Sequence, residues 1–131
     1  MKTLSFLLCV FLVTNSFGQK KEEPVVKTVD AKTFQNKLKE NPEAVLLDVR
    51  TPEEVSKGTI PGAVNINFNA PDFSSKIAAL AKDKTYFVYC AKGGRSGQAV
   101  EQMSDAGFKT LYNLEGGFVG WQEKGMPVKK K

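Results

Sequence analysis

Apolar residues along this chain fall into short blocks whose period changes from one block to the next. Leu4 to Val13 is an apolar run broken only by Ser5, and Gln19 to Lys27 after it is mainly polar and charged and contains Pro24, the pattern of a short mobile lead-in. Phe34 and Leu38 then recur four apart behind Asp30, a helix-capping residue, and Asn41-Pro42 stops that helix. Ala44 to Val49 is apolar except for Asp48, as in a strand buried on both faces. Thr51-Pro52-Glu53-Glu54 reads as a capping box with proline at the first helical position, and Gly58 ends that short helix. Ile60-Pro61-Gly62 turns the chain into a further strand, Ala63 to Asn67.

The second half repeats the alternation. Asp72 caps a helix carrying Phe73, Ile77 and Leu80. Thr85 to Tyr89, β-branched and aromatic, is the strongest strand signal in the chain and runs directly into Cys90. Ser96 is placed to cap the next helix, with Val100 and Met103 on one face and Gly107 as its stop. Lys109 to Leu114 gives another strand, Gly116-Gly117 a tight turn, and Phe118 to Glu123 a last short helix. Strands alternating with helices predict an α/β fold with a central, mainly parallel sheet and helices on both faces. Ligand sites on such sheets lie beyond the carboxyl ends of the strands, where Cys90 sits.

Lys2, the apolar run, and then Ser16 and Gly18 follow the charged, apolar, small-residue order of a secretory signal peptide, residues 1–18, with cleavage after Gly18. The run is about half the ~20 residues that a membrane-spanning helix needs, so stable membrane insertion is not expected. Leu8 before Cys9 is bulky where a lipoprotein signal needs a small residue. The chain is therefore expected to be exported, periplasmic or secreted. Residues 19–27 would form the lead-in, 28–128 one monomeric domain, and 129–131 a basic tail. The remaining length suits one hydrophobic core and is too short for two. The net charge of +5 is concentrated partly in Lys20, Lys21 and Lys129–Lys131, and arginine occurs only at 50 and 95, which gives no nucleic-acid-binding stripe.

Two cysteines and no histidine narrow the chemistry. The absence of histidine removes Ser-His-Asp and Cys-His catalysis and nearly all zinc sites. Loss of Cys9 with the leader would leave Cys90 alone, unable to form an internal disulfide and either buried and inert or kept for its reactivity. The loop that follows it is Ala91-Lys92-Gly93-Gly94-Arg95-Ser96. Its two glycines let successive amides turn inward around the sulfur. The following helix adds its N-terminal partial charge, and Lys92 and Arg95 add full positive charges. Together these favour thiolate over thiol. The plainer alternative is a buried structural cysteine before a glycine-rich turn. Elsewhere Arg50 reads as the partner of Asp48 or a neighbouring carboxylate, a support for the loop. Glu54 reads as a capping residue, and Phe118 and Trp121 as core.

Cys90-x-x-Gly93-x-Arg95 resembles the active-site loop of the rhodanese family. Leu47-Asp48-Val49-Arg50-Thr51-Pro52-Glu53-Glu54, Gly58-Thr59-Ile60-Pro61-Gly62-Ala63, Leu114-Glu115-Gly116-Gly117-Phe118 through Trp121, and Gly125-Met126-Pro127-Val128 resemble further segments of that family, in its order, from about Thr28 to Val128. The resemblance implies a five-stranded parallel sheet and a single-domain sulfurtransferase without metal or organic cofactor. In such an enzyme Cys90 takes a sulfane sulfur from a small donor and passes it to a thiophilic acceptor, cyanide or a thiol. Amides of Ala91 to Ser96 would hold the persulfide charge, and Arg95 would orient donor oxygens or anchor the loop. Thr59 stands where the family usually has histidine, and Ala91 where many members carry arginine. The second departure widens the expected donors from thiosulfate to persulfides and polysulfides.

Two other readings compete. A phosphatase or arsenate reductase of related fold has one more residue between its cysteine and arginine than the four between Cys90 and Arg95, and a general-acid aspartate is not evident here. A persulfide carrier or partner-binding module would keep the fold and differ in turnover.

Overall fold

In the computed structural model, which describes residues 23–130, each strand is followed by a helix. The order is β1 (Val25–Val29), α1 (Ala31–Glu40), β2 (Val45–Asp48), α2 (Pro52–Ser56), β3 (Val64–Asn65), α3 (Phe73–Ala78), β4 (Thr85–Tyr89), α4 (Gly94–Asp105), β5 (Thr110–Leu114) and α5 (Gly117–Glu123). Crossover connections let successive strands run in the same direction. The five strands form one all-parallel sheet in the order β1-β5-β4-β2-β3, the α/β architecture expected.

The central strand β4 sorts the core into two layers. Its side chains alternate between faces, so Tyr86 and Val88 pack with Phe73 and Ile77 of α3 and with Ala99, Val100 and Met103 of α4. Phe87 and Tyr89 point the other way, to Ala31 and Phe34 of α1 and to Phe118 and Trp121 of α5. Helices therefore cover both faces. Cys90 continues the alternation and joins the α4 layer.

Local signals fix several ends. The Asp30 carboxylate accepts the Thr33 N–H at 2.8 Å to cap α1, and both halves of the capping box at Thr51 and Glu54 are formed around α2. Four readings need correction. The lead-in ends early, because Val25–Lys27 belong to β1, whose pairing with β5 runs from Val25–Thr110 to Val29–Leu114. The strand foreseen over Ala63–Asn67 is regular only at Val64–Asn65. Asp72 occupies the N-cap of α3 without a side-chain cap bond; its backbone there is not extended, and its carboxylate meets Lys76 at 3.3 Å instead. Of the basic tail, Lys129 is held by main-chain bonds to Thr59 of 2.9 and 2.8 Å. The signal peptide reading, residues 1–18, lies outside the described residues. Among the described residues no helix is long and apolar enough to cross a membrane.

Candidate active site

The chain leaves β4 at Cys90 and enters α4 through Gly93, whose φ of +106° is a left-handed conformation suited to glycine. This starts the helix at Gly94, three residues earlier than a Ser96 cap would. Ser96 is therefore not the N-cap; it lies in the first turn, fully buried. The first helical bond runs from Gly97 N–H to the Gly93 carbonyl at 3.0 Å. The amides before it have no partner within the helix, and the glycine N-cap has no side chain to offer them. The Cys90 sulfur takes that place, accepting the Gly93 N–H at 3.1 Å and the Ser96 hydroxyl at 3.3 Å.

Cys90 is only 1% exposed, and burial, the largest single influence, pushes its thiol pKa up. The Ser96 hydroxyl and the amides of Ser96, Gly93 and Lys92 together outweigh burial, so the thiol lies below its ordinary value. The sulfur is free of any disulfide. It is buried among donors as well as hydrocarbon, which separates it from an inert core cysteine.

The cations contribute differently from the expectation. Arg95 binds Glu54 through two parallel bonds, Nη1 to Oε1 at 2.7 Å and Nη2 to Oε2 at 2.9 Å. Its positive charge is thus paired, and its role is to anchor the loop to α2. Those bonds are the main reason the Glu54 carboxyl is held at about 2. Lys92 contributes its amide to the sulfur while its side chain is exposed. Glu54 is thus both capping residue and loop anchor, a second role its local sequence does not reveal.

A second set of contacts grips the loop from the α5 side. The N–H groups of Phe118 and Val119 donate to the carbonyls of Cys90 and Ala91 at 2.8 and 3.0 Å. Gly117, read from sequence as a simple turn, allows this approach. With φ +60°, any Cβ there would overlap the Ala91 carbonyl and come within 2.6 Å of the Lys92 nitrogen. Below the sheet ends, Arg50 and Asp48 form the expected pair, Nε to Oδ1 at 2.9 Å and Nη2 to Oδ2 at 2.7 Å, with Nη2 also on the Gly58 carbonyl at 2.7 Å. The guanidinium lies 4.1 Å from the Phe118 ring centroid. Phe118 and Trp121 are core, as read. Asp48 pairs in register with Tyr89. Tyr89 belongs to the α5 layer and Cys90 to the α4 layer, so this network sits across the sheet from the sulfur.

Comparison with known proteins gives this architecture relatives. Residues 30–124 match the rhodanese-like domain model. The chain is similar to a sulfurtransferase of Allochromatium vinosum, with 29% identity over 79% of this chain and 95% of that one. It is similar to the putative sulfurtransferase YtwF of Bacillus subtilis, with 36% identity over 78% of this chain and 96% of that one. Its fold is similar to the crystal structure of a rhodanese-related protein from Thermoplasma volcanium, with a TM-score of 0.70, 34% identity, and coverage of 80% of this chain and 99% of that one. The cysteine-centred loop, the all-parallel sheet and these likenesses converge: the chain belongs to the rhodanese-like domain family.

Proposed function

We propose that this chain is a sulfurtransferase that carries sulfane sulfur on Cys90, using the loop from Ala91 to Ser96 to hold the charge. The observation that supports it most is the ring of fixed donors at the helix start. Gly93 N–H and the Ser96 hydroxyl already engage Sγ, and the N–H groups of Gly94 and Arg95 donate to no main-chain acceptor among the described residues. In the first half-reaction the Cys90 thiolate attacks the sulfane sulfur of thiosulfate, the S–S bond of the donor breaks, and sulfite leaves with the electron pair. A persulfide or polysulfide donor reacts in the same way and releases a thiolate or a shorter polysulfide. The new Cys90 persulfide carries its negative charge on the outer sulfur, where main-chain dipoles need no rearrangement to receive it. In the second half-reaction cyanide or a thiolate attacks that sulfur, and Cys90 returns as thiolate. Asp48 and Arg50 position the strand ends beneath the loop, and Arg95 with Glu54 holds its far side.

The phosphatase reading requires a free arginine to bind the transferred oxyanion, whereas both Arg95 amino groups are engaged by Glu54. Thiocyanate formation from thiosulfate and cyanide tests the sulfurtransferase reading. Catalytic turnover is expected, with complete loss in Cys90→Ala. Intact mass after donor exposure should rise by about 32 Da, one sulfur atom, in the wild type only. Loading without turnover would identify a persulfide carrier instead. The leader, residues 1–18, is proposed to direct export and to be removed after Gly18; the mass of protein recovered outside the cytoplasm tests this directly.

A further inference from the structure

Beyond the carboxyl ends of β4 and β2 and just after β3, three residues stand side by side in one core layer. The Val49 N–H donates to the Tyr89 carbonyl at 3.0 Å, and the Phe68 N–H to the Val49 carbonyl at 3.0 Å. Cys90, Val49 and Phe68 all belong to the α4 layer, Phe68 as a partly buried member at its margin. Neighbouring strands lie about 4.8 Å apart, so Phe68 stands about 10 Å from Cys90 at the main chain. One small organic molecule can therefore touch the sulfur and the ring together. Val49 between them is fully buried, while Phe68 remains partly exposed. The Phe68 ring is held edge-to-face against the buried Phe73, with centroids 5.1 Å apart. Its segment is fixed by a turn in which Asn67 accepts the Asn69 N–H on its side chain and the Ala70 N–H on its carbonyl, at 3.0 and 3.1 Å. Phe68 is thus a fixed apolar surface on the sulfur's own side of the sheet.

The charges around the loop do not favour an inorganic dianion. Both amino groups of Arg95 are taken by Glu54, Ala91 brings no charge, and Lys92 turns its amide to the sulfur and leaves its side chain exposed. We propose that Phe68 selects the sulfur donor by receiving the carbon group of an organic one, a thiosulfonate or persulfide with an aryl or alkyl body. The inference rests on the sulfurtransferase reading of Cys90 and adds the class of donor and the residue that recognises it. With a thiosulfonate, the Cys90 thiolate attacks the sulfane sulfur, the donor's S–S bond breaks, and a sulfinate leaves with the electron pair. The carbon group stays on the leaving sulfur, so a contact with Phe68 acts on the first half-reaction alone. Phe68 also fills the margin of the core, so the test must separate donor recognition from packing.

Benzenethiosulfonate and methanethiosulfonate do this, because they share one charge and the same reacting atoms and differ in the carbon group. With cyanide as acceptor, kcat/KM for the donor reports the first half-reaction of a two-step exchange. The two sulfinates differ as leaving groups, so the decisive quantity is how the ratio of the two donors changes between wild type and variant. Covering about half of a phenyl ring with apolar carbon is worth about a tenfold factor. Phe68→Ala should therefore lower kcat/KM about tenfold for benzenethiosulfonate and leave methanethiosulfonate within about twofold. Phe68→Leu, which keeps the core margin filled, should lose about threefold with the aromatic donor alone. An unchanged ratio, or a parallel loss with both donors, would overturn the assignment; if the alanine variant does not fold, the leucine variant decides. If the wild type transfers sulfur from neither donor, the sulfurtransferase reading itself fails. Transfer with an unchanged ratio removes only the role of Phe68.

Discussion

Replacing Ser96 with alanine removes one oxygen from the surroundings of the Cys90 sulfur and leaves the main-chain donors in place. Ser96 is fully buried, and its hydroxyl lies 3.3 Å from Sγ. A hydrogen bond to an ionised group contributes about 1.5–3 kcal/mol. At this length the lower end applies, which corresponds to about a tenfold change in an equilibrium constant. Below the thiol's midpoint, the thiolate fraction of Ser96→Ala should therefore fall about tenfold. The assay is alkylation by iodoacetamide across pH without donor present. The midpoint should move toward alkaline pH, while the plateau at high pH, where both proteins are fully ionised, stays within about twofold.

The same substitution carries a stability signature. Cys90 has its pKa lowered on folding, so its ionisation stabilises the native state fully above the unfolded thiol's pKa, and that stability is lost as pH falls through the folded value. Ser96→Ala shrinks this contribution. Its deficit in denaturant unfolding should be larger at about pH 9 than at about pH 6. An unchanged alkylation midpoint would refute the role given to the hydroxyl and leave the amides as the whole cause. If the plateau fell in parallel with the low-pH rate, access and not ionisation would have changed.

Gly117→Ala should destabilise the protein by about 2–4 kcal/mol, from a strained left-handed backbone plus overpacking against the loop, and should abolish sulfur loading even where the variant remains folded. Gly120→Ala is the control: a Cβ there meets nothing within 4 Å, so urea unfolding should show unchanged or slightly raised stability. For Glu54 the folded value of about 2 lies below the carboxyl's ordinary value of 4.5. Its contribution is therefore present above about pH 4.5 and is lost as pH falls toward about pH 2. The Glu54 and Arg95 side chains are 32% and 24% exposed, and solvent screening limits the pair to about 1 kcal/mol. Glu54→Gln should cost that amount at neutral pH and progressively less as pH falls through about 2, as read from urea midpoints.

The elements that were legible in the sequence are those whose signals are local. The capping box at Thr51 and the run from Thr85 to Tyr89 specify their own conformations, and both appear with those boundaries. β1 was hidden because its residues are mostly exposed at the sheet edge. Alternation between polar and apolar positions arises from one-sided burial, and an edge strand flanked by charged residues lacks it. Ser96 was misplaced because serine before an apolar run is a common cap, while a glycine at left-handed φ starts the helix without any side chain. The partnership of Glu54 with Arg95 and the close approach of Gly117 to Ala91 span 41 and 26 positions along the chain. Such contacts follow from sheet order and strand register, which no local pattern encodes.

Burial and ionisation oppose each other at Cys90, and the way the loop is held explains how both coexist. A thiol 1% exposed would ordinarily stay protonated. Here the donors that reverse this belong mainly to the main chain, so they do not depend on long side chains finding one rotamer. The loop that carries them is fixed at points away from the sulfur: the Cys90 and Ala91 carbonyls by the first amides of α5, and Arg95 by Glu54. None of these anchors occupies a donor that the sulfur or its persulfide would need. Full positive charges beside the sulfur would stabilise the resting thiolate too, but they would also hold an anionic leaving group such as sulfite. Neutral dipoles at Sγ stabilise the nucleophile without holding the leaving group by a full charge.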